Sequence, residues 1–237
     1  MTFPQSGMTA VYANPLFGVT ITLAAYLLAT AVQHRLRWLP ALLVTCGLLI
    51  LLLLACRIPY SAYKAGGDLI AFFLGPATIA LGVPFYKHVR QIGPHLLGSI
   101  VAIIAGSVTG VASAAFLVLS MHGSDALLRA MMPKSVTTPI CIELVKQLGG
   151  QPELGAVFAV LAGLLGSVIG PTLLRRVGIR NPIAIGLAMG TSSHGIGTAR
   201  VLRDSELQGG ASGLAMATAG IVTSLLIALV QHIWNIH

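Results

Sequence analysis

Acidic side chains are nearly missing from this chain: six Asp and Glu stand in 237 residues, against 14 Lys and Arg. Charge of either sign is scarce, at 8% of residues, where a soluble domain carries about 25%. So few ionised groups cannot cover a water-facing surface, which excludes an ordinary soluble domain. Aromatics are also few, at 6%, and none interleave with basic stripes. The net charge of +8 therefore does not read as a nucleic-acid footprint. The basic residues fall between apolar runs, where they fix topology and attract an anion. Cysteine is limited to Cys46, Cys56 and Cys141, isolated and odd in number. This excludes a disulfide framework and leaves them as small buried hydrophobes. The opening "MTFPQSGMTAVYANPLFG" has no basic n-region, so a cleaved signal peptide is not expected.

What is present is apolar: 56% hydrophobic residues and a mean hydropathy of +0.89. The reading is an all-α integral membrane bundle in a single domain, 1–237. Runs near the ~20 residues a spanning helix needs occur at 12–33, 38–56, 67–86, 94–121, 154–174, 182–199 and 209–234. With discontinuous or re-entrant pieces this predicts about seven to eight membrane segments. The Leu-rich pair within 12–60 is expected to face lipid. Later runs such as "GSIVAIIAGSVTGVASAA" are rich in Gly, Ala, Ser and Thr, which let helix backbones approach closely in lipid.

The chain carries an internal echo. At an offset of 57, Pro76, Gly93, Leu97, Gly98, Ala102, Ala105, Gly106 and Val111 fall on Pro133, Gly150, Leu154, Gly155, Ala159, Ala162, Gly163 and Val168. At an offset of 58, Ala130, Met131, Ser135, Gly155 and Ala159 fall on Ala188, Met189, Ser193, Gly213 and Ala217. Gly and Ala matches are cheap in membrane proteins, so chance stays open beside repeat-like units at 67–121, 126–178 and 184–236.

Each unit opens on a broken segment: "LGPATIALGVP" (Leu74–Pro84), "PKSVTTP" (Pro133–Pro139) and "GTSSHGIGTAR" (Gly190–Arg200). Gly75, Pro76, Pro133, Pro139, Gly195 and Gly197 are the expected helix breaks, because Pro removes a donor and Gly loosens the helix. Freed backbone groups at membrane depth must be buried in protein or line a wet cavity. In a transporter, such breaks in corresponding positions mark the substrate site.

Lys134, flanked by Ser135, Thr137 and Thr138, is the expected anion ligand; the alternative is a lysine that snorkels to the interface. Glu143 lies one turn after Pro139, and an acid within a membrane is a functional candidate. It would carry a proton or pair with Lys134 or Arg200, or else pair with Lys146 at a helix end. His194, among Ser192, Ser193 and Thr198, has an ordinary pKa suited to proton coupling; a merely hydrogen-bonded histidine is the alternative. Arg200 offers a fork for a carboxylate or marks a helix end. Thr78 is the first unit's share of the site. Enzyme chemistry is not expected. "GTSSHGIG" is not a nucleophile elbow, "GIGTAR" lacks the third glycine of a dinucleotide fingerprint, and one histidine cannot fill a metal sphere. No metal or cofactor is expected.

"GPATIALGVPFYK", "MPKSVTTPICIE", "AVFAVLAGLLGSVIGP", "GIRNPIAIGLAMGTSSHGIGTAR" and "GASGLAMATAGIVTSLL" together resemble the LrgB/CidB family, over roughly Pro15 to Ala228. The resemblance implies a multi-pass bacterial inner-membrane protein. It implies holin/antiholin-like regulation of murein hydrolase export and cell lysis, and a smaller LrgA/CidA-type membrane partner. It also implies kinship with a plastidial glycolate/glycerate transporter and a link to pyruvate uptake. The residues favour the second branch, because a lytic pore needs no buried chemistry. A proton-linked carrier of small monocarboxylates does, and a homo-oligomer is expected.

Overall fold

The computed structural model describes residues 14–36, 40–80 and 82–234, and every regular element among them is helical. In chain order they are α1 (Pro15–Arg35), α2 (Ala41–Ala55), α3 (Tyr60–Phe72), α4 (Leu74–Ala80), α5 (Gly82–Ile92), α6 (Leu96–Ser120), α7 (Asp125–Met131), α8 (Thr138–Gln147), α9 (Pro152–Arg176), α10 (Pro182–Leu202) and α11 (Glu206–Trp234). Their starts are written locally. Asn14 and Asn181 accept from the first backbone N–H groups of α1 and α10, and a proline follows each; both devices suit a helix N-terminus.

Among the described residues, four helical stretches are long and apolar enough to cross a membrane: Pro15–Arg35, a run within Tyr60–Ser120, Pro152–Arg176 and Glu206–Ile233. The expected run at 38–56 yields a 15-residue helix. The expected run at 67–86 divides into α3, α4 and α5. The helix is interrupted at Phe73, and Gly75 and Pro76 sit in the first turn of α4; Pro76 lacks the N–H that would reach the carbonyl of Phe72, the last residue of α3.

The helices group into two compact units, up to Thr78 and from Ile79. In the first, α1 and α3 touch backbone to backbone. A Cβ on Gly18 would stand 2.9 Å from the Gly66 Cα, and Thr22 shares a 3.1 Å hydrogen bond with the Tyr63 hydroxyl.

The second unit contains two helical fold-backs. The first is inside α10. His194 adopts φ 42°, ψ −136°, outside any helix, and the next half-helix returns along the first. A Cβ on Gly197 would lie 2.8 Å from the Met189 carbonyl oxygen, although eight residues of straight helix span about 12 Å. Val201 packs on Ile185 and Met189, and Asp204 comes back to Arg175, 3.8 Å away at the end of α9. The run expected at 182–199 is therefore not one straight span. Its reversal follows from a positive φ at His194, with Gly195 and Gly197 beyond it to leave room. The second fold-back pairs α7 with α8. The Arg129 guanidinium donates to the Leu148 carbonyl, closing the base. Residues 132–137 form the tip, with Pro133 almost wholly buried.

The two fold-backs approach from opposite ends of α9. The α7–α8 base adjoins its start, where Val145 and Cys141 pack on Gly155. The α10 base adjoins its end. Both tips reach mid-helix depth: His194 lies against Gly163 of α9, and Ser135 against Gly110 of α6.

Glycines make this packing possible. On α9, Gly163, Gly166 and Gly170 receive His194, Ser193 and Met189 of α10, so that a Cβ at any of them would collide. On α10, Gly186 and Gly190 lie against backbone of α11. Gly166→Ala is expected to lower stability by about 1–3 kcal/mol, the usual cost of overpacking. Gly47→Ala, where a Cβ meets nothing within 4 Å, is expected to be neutral or to stabilise α2 by up to about 1 kcal/mol. Thermal unfolding in detergent compares them; equal midpoints would show that the α9–α10 contact is loose.

Candidate functional site

The α7–α8 tip, α6 and the first half of α10 line a half-open cavity of about 450 Å³. Ala102, Gly106 and Gly110 recur every fourth residue, so α6 presents them on one face. Lys134 and Ser135 enter from the tip; Ala184, Leu187, Ala188, Thr191 and Ser192 come from α10. Three contacts fix the register. A Cβ on Gly110 would stand 3.6 Å from Ser135 Oγ, a Cβ on Gly106 would stand 3.0 Å from the Thr191 methyl, and Leu187 packs on Ile103, Ala215 and Ala219. The cavity is thus polar at one end (Lys134, Ser135, Thr191, Ser192) and apolar at the other (Ala102, Ala184, Leu187, Ala188).

Lys134 is half-buried, and its Nζ has Ser135 Oγ at 3.5 Å. The chain has no acid left for it. Asp68 pairs with Lys64, Asp125 with Arg129, Glu143 with Lys146, Asp204 with Arg175 and Arg200, and Glu206 with Lys87. The remaining acid, Glu153, sits in the first turn of α9, where the helix dipole favours a negative charge. An ammonium drawn out of water without a counter-charge is costly. The cavity is therefore suited to an anion from outside the chain, held by Lys134 and flanking hydroxyls, with a short apolar tail toward Ala102.

His194 does not line the cavity. It lies behind it, 3% exposed, and its Nε2 makes a 2.9 Å hydrogen bond to the Ala159 carbonyl of α9. Thr198 Oγ1 donates to the His194 carbonyl at 2.8 Å and meets Ser212 Oγ at 2.8 Å. Thr198 thus caps the reversal and ties it to α11. Ser193, buried against α9, shares a 3.1 Å hydrogen bond with the cavity-lining Ser192. Gly195 and Gly197 follow in the returning arm.

The other candidates are dispersed. Thr137 immediately precedes α8 without a capping side-chain hydrogen bond, Thr138 and Pro139 form its first turn, and none of the three lines the cavity. Glu143 is 62% exposed and pairs with Lys146 at 3.6 Å, apart from both Lys134 and Arg200. Arg200 binds Asp204 at 2.7 Å, at the base of the α10 fold-back. Thr78 lies in α4, and its side chain is outside the described residues. Sequence reasoning missed Ala102, Gly106, Gly110, Ala184, Leu187, Ala188 and Thr191. The every-fourth spacing of small residues in α6 was the available signal. Among the described residues, no three His, Cys, Asp or Glu side chains converge to hold a metal.

Residues 22–233 match the model of the LrgB-like family. A protein named YwbG of Bacillus subtilis (strain 168), described as uncharacterized, is 37% identical over 205 residues, covering 86% of this chain and 91% of its own. A Bacillus subtilis protein named antiholin-like protein LrgB is 31% identical, covering 90% and 94%. Another of that name in Bacillus cereus (strain B4264) is 30% identical, covering 91% and 95%. No solved structure matches.

The reversal at His194 gives a direct test. A non-glycine residue at such a φ costs about 1–3 kcal/mol. His194→Ala loses the Ala159 hydrogen bond and keeps the strain, whereas His194→Gly loses the bond and relieves it. His194→Gly is expected to melt above His194→Ala, opposite to the order for a regular helix. The reverse order in detergent would mean that residue 194 is helical.

Proposed function

This chain belongs to the LrgB-like family, and we propose on that premise that it is an antiholin-like membrane protein. It restrains murein hydrolase export and cell lysis from a multi-pass position in a bacterial inner membrane. The observation that carries this reading is the name shared by relatives at 30–31% identity that match almost end to end. A smaller LrgA/CidA-type membrane protein is its proposed partner.

A second reading, favoured by one observation, is a carrier of small monocarboxylates, proton-linked through His194 and working as a homo-oligomer. The observation is Lys134, a half-buried cation at the polar end of the cavity with every acid of the chain engaged elsewhere or at a helix start. Lysis control needs no such group. The readings are compatible where carboxylate flux feeds the lysis decision. Both tips are then re-entrant, from opposite faces of the bilayer. Charge supports an orientation. Lys87, Arg90, Arg175, Arg176, Arg180, Arg200 and Arg203 gather with Asp204 and Glu206 at the end where α9 stops, and Lys87 meets Glu206 there at 3.6 Å. Asp125, Glu143 and Glu153 lie with Arg129 and Lys146 at the other. The positive-inside rule makes the first end cytoplasmic.

Two measurements separate the readings. Deleting the gene in its bacterial host is expected to speed autolysis and raise murein hydrolase activity in the medium, with restoration by the wild-type chain; unchanged autolysis would remove the antiholin-like role. Proteoliposomes containing the chain, with and without its small partner, are expected to take up labelled pyruvate or glycolate saturably under a pH gradient. Lys134→Ala should abolish that uptake and leave the protein folded. Equal uptake by the variant would remove Lys134 as the anion ligand.

A further inference from the structure

We infer that the base of the α10 fold-back binds the headgroup of an anionic phospholipid through Arg176, Arg180 and Arg203. The inference needs neither reading of the function, only a bilayer around α9. The three arginines meet at one end of the second unit. Arg176 ends α9, and its neighbour Arg175 reaches Asp204 at 3.8 Å, which brings Arg203 alongside. The two arms of α10 set Ile185 against Val201 and Met189 against Gly197. The same pairing carried one turn toward the base sets Asn181 beside Ser205, and Arg180 with it. All three arginines are exposed. The acids at this end are engaged by other cations: Asp204 by Arg175 and Arg200, Glu206 by Lys87. Among the described residues no acid pairs with Arg176, Arg180 or Arg203.

An apolar track leads to the patch. Leu165, Ile169 and Leu173 recur every fourth residue of α9, so they share a face, and they are 60%, 53% and 54% exposed. Arg176 follows one turn later, at the end of that face. From Leu165 to Arg176 the helix rises about 16 Å, close to half of a hydrocarbon core about 30 Å thick. An acyl chain of one leaflet therefore lies along the track while its phosphate sits among guanidinium groups, whose forks suit phosphate oxygens. A soluble anion would use the arginines and leave the track bare. A zwitterionic headgroup brings its own cation to a patch already in surplus, so a headgroup of net negative charge is preferred.

The test is thermal unfolding of the purified full chain in detergent, titrated with dioctanoyl phosphatidylglycerol. A ligand of the folded state raises the midpoint as its concentration passes its dissociation constant. The midpoint is expected to rise with phosphatidylglycerol and to stay in place with dioctanoyl phosphatidylcholine. In Arg176→Gln/Arg180→Gln/Arg203→Gln the concentration needed for the same rise is expected to increase about tenfold or more, with the lipid-free midpoint kept. Arg35→Gln/Arg57→Gln/Lys64→Gln removes as much charge elsewhere and is expected to respond as wild type. An unchanged response in the first variant, or no response in the wild-type chain, would overturn the site. An equal loss in the second variant would also overturn it, by showing that net charge alone decides. An equal rise with inorganic phosphate would overturn the lipid in favour of a soluble anion. Arg176→Gln alone gives the same comparison, with a loss of about threefold, if the triple variant fails to fold.

Discussion

The reversal of α10 at His194 is the constraint on which the second unit depends. A helix that turns back in an apolar interior frees backbone groups that water cannot reach, and each must find a partner inside the protein. Thr198 donates to the His194 carbonyl and accepts from the Ser212 hydroxyl, while the imidazole bonds to the Ala159 carbonyl. Two neighbouring helices are thereby committed to one register against the turn. The glycines follow from that commitment. Gly163 and Gly166 must be bare because the ring of His194 and the side chain of Ser193 occupy the space a Cβ would need.

The cavity is a by-product of the same geometry. Two arms that stop at mid-depth leave space between their tips that a pair of full helices would fill. The residues at such a tip escape the pattern of an apolar helix, so Lys134 is tolerated there. The scarcity of acids, visible in the composition, gains meaning only when the ion pairs are traced. Five of the six are held by other cations, so the charge at the cavity is unmatched by the chain itself.

Much of this was legible in the sequence, and the remainder had physical reasons to be hidden. The polar interruptions at Lys134–Thr138 and Ser192–Thr198 stand out from their surroundings, and the structure puts its two tips there. The offset that aligns Ser135 with Ser193 aligns one tip with the other. The direction of the chain after the second interruption is set by one backbone angle at His194, which residue types do not disclose. Gly106 and Gly110 were invisible as cavity walls because they contribute no functional group. Glu143 illustrates the converse. An acid inside a greasy chain attracts attention, yet a lysine three residues on, at a surface, accounts for it.

Each arm is also a lever. The α10 arm is fastened by Asp204 to two arginines at its base, and its tip lies ten residues away, about 15 Å up the helix. A tilt of only 10° about that base would carry the tip roughly 3 Å sideways, comparable to the width of a water molecule. A change at the base can therefore be felt at the tip while α9 and α11 stand still. The α7–α8 arm offers the same leverage from the opposite end of α9.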